Sequence, residues 1–131
     1  MGYTDRGAVG LSYDFQGVVE SFISIDFETA NEARTSACAV GIVRVDDGRL
    51  TGSWSTLINP QARFAPINVR IHGITESDVA DAPTFPDVLP RILDAIAGVE
   101  LVVAHSAAFD MRVLAASAAC YGLPLPLIKF G

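Results

Sequence analysis

Two carboxylates in one short apolar stretch are the side chains best placed to do chemistry. Asp26 and Glu28 stand two positions apart in the run Ile25-Asp26-Phe27-Glu28-Thr29. Side chains alternate along a strand, so both carboxylates would point to the same face if this run is extended. Paired carboxylates repel, which raises one pKa unless a cation neutralises them, and hard oxygen ligands suit Mg²⁺ or Mn²⁺. A solvated strand end before a turn would show the same Asp-x-Glu pair.

A third carboxylate, Asp110, comes soon after the apolar segment 99–104. If the strands that precede Asp110 and contain Asp26 are neighbours in a sheet, the two carboxylates could face each other. An acidic residue in the first turn of a helix is also favoured by the helix dipole. Taken alone, Asp110 is therefore more simply a residue that begins a helix.

The chain has two histidines, His72 and His105. We expect His72 to lie in a loop beside Gly73, where its imidazole could contact a ligand. His105 ends an apolar strand and is interpreted as a buried core histidine. Neither histidine has the spacing of a zinc site, and no glycine-rich phosphate loop or Gly-x-Ser-x-Gly nucleophile is present.

The first half of the chain predicts three strands. Residues 20–28, 36–45 and 49–58 are rich in β-branched and aromatic side chains. Asp47-Gly48 between the second and third runs predicts a hairpin turn. Residues 61–82 are interpreted as a loop.

A helix follows Pro83. Thr84 can cap it together with Asp87, and Gly98 is placed to end it. Pro90 predicts either a start near Asp87 or a bend. The apolar face at helical spacing comprises Phe85, Val88, Leu89, Ile92, Leu93 and Ile96.

The last third of the chain predicts a strand over residues 99–104, a helix over 109–121 and the start of another strand over 125–130. The element order is β-β-β-α-β-α. Three antiparallel strands followed by an alternating part predict an α/β fold, a mixed sheet with helices packed on it.

Composition limits the class of protein. A chain of 131 residues forms one domain, here a leader over residues 1–20 and a domain over 21–131. The net charge of -6 argues against affinity that rests on a broad basic face. Cys38 and Cys120 are interpreted as buried, reduced thiols of a cytoplasmic protein, and no membrane span or secretory signal is expected.

Three segments, taken in order, resemble the DEDDh family of 3′-to-5′ exonucleases. They are Asp-Phe-Glu-Thr over residues 26–29, Ile-His-Gly-Ile-Thr over 71–75, and Ala-His-Ser-Ala-Ala-Phe-Asp over 104–110. The resemblance runs from residue 22 to about residue 130, and three motifs together are more specific than any one of them.

This resemblance implies a ribonuclease H-like fold and two-metal hydrolysis of phosphodiester bonds with release of nucleoside monophosphates. Asp26 would bridge two Mg²⁺ or Mn²⁺ ions, Glu28 would bind one of them, and Asp110 the other. The implied partners are single-stranded DNA or RNA 3′ ends and a DNA polymerase. Proofreading, repair and RNA trimming remain open.

The resemblance also implies contacts to the terminal nucleotides. The loop at His72 would pack against the last nucleotide, Thr29 would meet its 3′-hydroxyl region, and Phe109 would support the bases. Ser106 stands where the family commonly has Asn. The full implied substrate-binding set is Thr29, His72, Gly73, Ile74, His105, Ser106 and Phe109.

One departure from the family pattern affects activity. The family's third motif carries a His general base and a last Asp, and residues 111–131 contain no His, Asp or Glu. We therefore expect an incomplete exonuclease domain with impaired activity, whose uncovered sheet edge promotes self-association. The alternatives are a non-catalytic module that binds nucleic-acid ends and a domain that docks a partner on that edge.

Overall fold

The computed structural model describes residues 20–131 as a four-stranded mixed sheet with helices. The elements are β1 (Ser21–Thr29), β2 (Ala37–Asp46), β3 (Arg49–Leu57), α1 (Pro66–His72), α2 (Phe85–Ala97), β4 (Leu101–Val103) and α3 (Ala107–Cys120). The strand order is β3-β2-β1-β4. The predicted α/β class is confirmed. The predicted leader over residues 1–20 lies outside the described residues except for residue 20. Within residues 20–131, no helix is long and apolar enough to cross a membrane.

Strand β1 lies between β2 and β4, and its alternate residues are apolar and buried. Ile23, Ile25 and Phe27 are buried in the main core, whereas Asp26 is exposed and Glu28 is half-buried. The strand pairs antiparallel with β2 and parallel with β4. The alternation places both carboxylates on the same face, as predicted.

The hairpin between β2 and β3 forms as predicted. Asp47 and Gly48 both adopt positive φ, at 50° and 78°, and Asp46 pairs with Arg49 across the turn. Two positive φ values in a two-residue loop match the right-handed twist of the flanking strands.

Helix α2 supplies most of the helical contribution to the core. The Asp87 carboxylate accepts hydrogen bonds from the Thr84 amide at 3.2 Å and from the Thr84 hydroxyl at 3.1 Å. The helix begins at Phe85 and continues through Pro90, so a start near Asp87 is wrong. Pro90 is exposed, on a helix face where a carbonyl without its usual partner can reach water.

The interpretation of residues 61–82 as a loop is wrong over α1. This helix spans Pro66–His72, has Pro66 in its first turn, and ends at Gly73 with a left-handed φ of 76°. α1 has only seven residues, too few for a helical pattern to stand out in the sequence, and its isoleucines Ile67 and Ile71 are exposed rather than buried. The proline and the glycine were the available signals.

The edge strand β4, which pairs with β1, is shorter than predicted. β4 covers only Leu101–Val103, not all of 99–104, and α3 begins two residues before the predicted position 109. The expected strand over 125–130 is reduced to one parallel bridge between Val102 and Phe130. The Val102 amide donates to the Lys129 carbonyl, and the Gly131 amide donates to the Val102 carbonyl, each at 3.0 Å.

The two thiols differ in exposure. Cys38 is buried, but Cys120 is exposed at the last position of α3, so the expectation that both are buried is wrong for Cys120. Burial, followed by the negative charge of Glu28, raises the pKa of the Cys38 thiol to about 11. A thiol that stays protonated is a poor nucleophile.

We predict that a maleimide labels one thiol of the native chain and two in denaturant. At about pH 8 the exposed Cys120 reacts, while Cys38 is both covered and protonated. Mass spectrometry after labelling counts the adducts, and Cys120→Ser is the matched control. Rapid labelling of native Cys120→Ser would contradict the buried position of Cys38.

Candidate functional site

Asp110 joins the two halves of the site. It lies in the first turn of α3 with only 2% of its surface exposed. Its Oδ1 accepts a hydrogen bond of 2.9 Å from the Phe27 amide of β1, 83 positions away. Because β1 and β4 are neighbours, the helix that follows β4 begins beside the carboxyl end of β1. Asp110 therefore does lie against the strand that carries Asp26.

The three carboxylates influence one another electrostatically. Burial raises the pKa of Asp110, and the hydrogen bond from Phe27 lowers it. The charges of Asp26 and Glu28 raise this pKa further, while His105 lowers it. Negative charge is therefore concentrated at this end of β1.

The carboxylates of Asp26, Glu28 and Asp110 are of a type that binds divalent cations, but they do not lie close enough together to form a metal-binding group in this structure. Three carboxylates are hard oxygen ligands of the kind that Mg²⁺ and Mn²⁺ prefer. Among residues 20–131, no three His, Cys, Asp or Glu side chains form a group able to hold a metal ion. Binding of a cation would require the three carboxylates to approach one another more closely than they do in this structure.

His72 is held by the backbone on both sides. It is the last residue of α1, so the expectation that it lies in a loop is wrong. Its Nδ1 accepts a hydrogen bond from the Ile74 amide at 3.0 Å, so the proton is on Nε2. Nε2 donates to the Thr29 carbonyl at 2.9 Å. Both ring nitrogens are thus engaged within the chain, and contact with a nucleotide would fall to the ring carbons.

Asn68 is a residue of the site that the sequence reasoning missed. Its Nδ2 donates to the same Thr29 carbonyl at 3.0 Å, one helical turn before His72. The spacing Asn-x-x-x-His was the available signal, but it has meaning only on a helix. Thr29 itself is only 9% exposed, and Gly73 caps the helix.

Ile74 is a half-buried residue of the segment after α1. It packs against a second, smaller apolar cluster made by Ala30, Cys38 and Val79. Its predicted contact with a terminal nucleotide remains a prediction. The packing shows that its side chain also serves to hold the segment after α1 in place.

The residues between β4 and α3 are more open than expected. His105 is exposed, so its interpretation as a core histidine is wrong; β4 ends at Val103, before His105. Ser106 occupies the N-cap position of α3, but its side chain makes no capping hydrogen bond. Phe109 is half-buried and packs against the main core.

The segment that follows β1, residues 30–36, is fixed by polar contacts. The Asn31 side chain donates to the Arg63 carbonyl and accepts from the Ala33 amide, each at 2.8 Å. The Ser36 hydroxyl donates to the Ala33 carbonyl at 2.6 Å, and the Ser117 hydroxyl of α3 donates to the Arg34 carbonyl at 3.4 Å. Four side-chain hydrogen bonds therefore hold the segment directly after Thr29.

Known proteins provide an independent comparison. The family model RNase_T, described as "Exonuclease", matches residues 23–125. Exodeoxyribonuclease 10 of Escherichia coli is 39% identical over 90 residues, which are 69% of this chain and 39% of that protein. The epsilon subunit of DNA polymerase III from Escherichia coli is 38% identical over 73 residues, 55% of this chain and 30% of its own.

A solved structure agrees with these matches. Exonuclease X in complex with 5′ overhanging duplex DNA superposes with a TM-score of 0.66 at 33% identity, covering 83% of this chain and 57% of that chain. The ribonuclease H-like fold is thereby confirmed. This chain spans only 7% to 39% of the length of the first curated relatives it matches.

The family match covers well over half of the chain and includes all three motifs at residues 26–29, 71–75 and 104–110. The resemblance to the DEDDh enzymes is confirmed, and the chain belongs to the exonuclease family.

Proposed function

We propose that this domain carries the carboxylate site of a divalent-cation-dependent 3′-to-5′ exonuclease. The single observation that supports this most is the buried Asp110 carboxylate on the Phe27 amide, close enough to Asp26 and Glu28 for their charges to raise its pKa. Burying a carboxylate near two further negative charges is unfavourable for the fold, and groups with a pKa perturbed in this way are common at functional sites.

In this proposal Asp26, Glu28 and Asp110 hold two Mg²⁺ or Mn²⁺ ions. Bound cations of this kind activate water and stabilise the charge that develops on the phosphate. The chain's own contribution is to position the ligands. β1 directs Asp26 and Glu28 to one face, and the Phe27 amide holds Asp110 in place.

Most of the remaining predicted site residues are proposed to bind the 3′ end. His105 is exposed near Asp110 and could donate to a phosphate. Thr29, His72 and Gly73 form the opposite side, where the strand end meets α1. Phe109 and Ser106 line the start of α3, and contact with bases there would be independent of sequence.

DNA is the substrate that we propose first. One relative is named an exodeoxyribonuclease, and exonuclease X was solved with 5′ overhanging duplex DNA. The similarity to an epsilon subunit supports a polymerase as a partner of the whole protein. Single-stranded RNA is the competing substrate.

A specific observation keeps a second function open. Residues 111–131 contain no His, Asp or Glu that could act as the family's general base or last metal ligand. General-base catalysis typically contributes about 10²- to 10⁴-fold in rate. Assayed by themselves, these 131 residues are proposed to act as a slow exonuclease or as a module that binds 3′ ends without cleaving them.

We predict that this chain shortens 5′-labelled single-stranded DNA from the 3′ end with Mn²⁺ and not with EDTA. Asp26→Ala should lower the rate at least about 100-fold, because a metal ligand is lost. The matched control is Asp94→Ala, which removes an exposed carboxylate on α2. Binding of 3′ ends without any shortening would favour the non-catalytic module, and equal rates for Asp26→Ala and wild type would refute the proposed site.

We also predict that Asp110→Asn stabilises the metal-free fold. The amide keeps an oxygen for the Phe27 hydrogen bond and removes a buried charge. A gain of about 1 kcal/mol would raise the melting temperature by roughly 4 °C in a domain of this size. Thermal unfolding in EDTA measures this, and the stabilisation of wild type by Mn²⁺ should be absent in the variant.

The pH dependence of that gain follows from the raised pKa of Asp110. A carboxyl whose pKa is higher in the folded state stabilises the fold when protonated, and that contribution is lost as the pH rises through the folded pKa. The advantage of Asp110→Asn should be largest at about pH 8 and shrink toward about pH 4. Asp94→Asn is the control, and a constant difference across this range would contradict the effect of burial.

A further inference from the structure

Helix α1 is attached to the sheet differently from α2. α2 buries five residues in the core, whereas α1 buries none. Two of its isoleucines, Ile67 and Ile71, are 59% and 76% exposed. Hydrophobic burial therefore contributes little to the position of α1, and polar contacts must set it.

Those polar contacts converge on two successive carbonyls at the end of β1. The Ala65 amide donates to the Ala30 carbonyl at 2.8 Å. Asn68 Nδ2 and His72 Nε2 both donate to the Thr29 carbonyl, at 3.0 and 2.9 Å. Two donors from one helix face, one turn apart, restrict the orientation of this carbonyl more than one donor could.

The β1–β2 pairing by itself does not fix the orientation of the Thr29 carbonyl, because the pairing is irregular at this residue. Glu28 pairs with Ala39, but Thr29 pairs with Ala37, so the β1–β2 register shifts between Glu28 and Thr29 and skips Cys38. A bulge of this kind disrupts the ladder and redirects the side chains beside it. The contacts from α1 supply the constraint that the ladder lacks, immediately after Glu28.

Asn68 and His72 differ in how many other contacts depend on them. His72 also accepts from the Ile74 amide, and its Nε2 lies 3.8 Å from the Cys38 sulfur. Within residues 20–131, the hydrogen bonds of the Asn68 side chain go to Thr29 alone, with the Thr29 hydroxyl at 3.5 Å. A change at Asn68 therefore tests the carbonyl contact with the least disturbance elsewhere.

We propose that Asn68 is a positioning residue, which fixes the Thr29 peptide group and thereby the direction of the Glu28 carboxylate. It does not touch substrate or cation in this role and acts through Thr29. The inference rests on the proposed function, because it assigns the effect to the cation-binding carboxylates. It predicts weaker cation binding and slower turnover when the amide donor is lost, with little change in global stability.

The test compares Asn68→Leu, which keeps the side-chain size and removes the donor, with Asn68→Gln, which keeps an amide. Ile67→Ala is the matched control on the same helix, since its side chain is exposed. Hydrogen–deuterium exchange with mass spectrometry follows residues 28–30 and 66–74, and Mn²⁺ binding is followed by electron paramagnetic resonance. Exonuclease turnover and substrate KM are measured in parallel.

We expect Asn68→Leu to speed exchange in both segments and to weaken Mn²⁺ binding about fivefold to tenfold, in line with one lost hydrogen bond. We expect kcat to fall by a similar factor with KM for DNA nearly unchanged, and Asn68→Gln to recover part of each loss. The melting temperature should stay within about 2 °C of wild type, since α1 buries no residue.

Unchanged exchange and unchanged Mn²⁺ affinity in Asn68→Leu would overturn the inference. Faster exchange with unaltered Mn²⁺ affinity would also overturn it, because α1 would then be held by Asn68 without any effect on Glu28. If wild type neither binds Mn²⁺ nor shortens DNA, the proposed function fails instead, and unchanged exchange would separately reject Asn68 as the residue that fixes Thr29.

Discussion

The hydrogen bond between the Phe27 amide and the Asp110 carboxylate requires most of the observed fold. It needs β1 and β4 side by side and parallel, and it needs α3 to begin directly beyond β4. It also takes a charged group out of water, which is unfavourable unless hydrogen bonds or opposite charges compensate. One amide compensates only in part, since the pKa of Asp110 remains raised.

The hydrophobic core stabilises the strand that carries these carboxylates. The buried residues of β1 alternate with the site residues, so Ile25 and Phe27 anchor the same strand that exposes Asp26. The buried face of α2 and the Thr84–Asp87 cap stabilise the layer beneath the sheet. The buried residues and the proposed cation ligands thus lie on opposite faces of one strand, so that the core can hold the strand in place while its other face carries like charges.

A second polar centre, the Thr29 carbonyl, organises the other side of the site. The two donors from α1 meet it where the β1–β2 ladder shifts register. The fixed segment 30–36 follows directly. Both walls of the site are therefore set by hydrogen bonds to backbone atoms of β1 or of the segment after it. Such contacts are directional, so they hold geometry more narrowly than apolar packing does.

Local patterns were sufficient for part of this molecule. The alternation in β1, the Asp47-Gly48 turn and the Thr84–Asp87 cap each act over a few residues, and each predicted its element correctly. The three motifs in order were also enough to identify the family, which the match over residues 23–125 confirms. These features are readable because neighbouring residues carry the whole signal.

Other features depend on contacts between distant parts of the chain. α1 has only seven residues and buries none of them, so its sequence gives a weak signal. The exposure of Cys120 and His105 follows from where α3 ends and β4 stops. The approach of Asp110 to β1 spans 83 positions, and the role of Asn68 exists only once α1 lies against Thr29. Burial and hydrogen-bond partners are properties of the packed chain. Residue types and spacing therefore identified the candidate site residues, and tertiary packing determined which of them lie in contact.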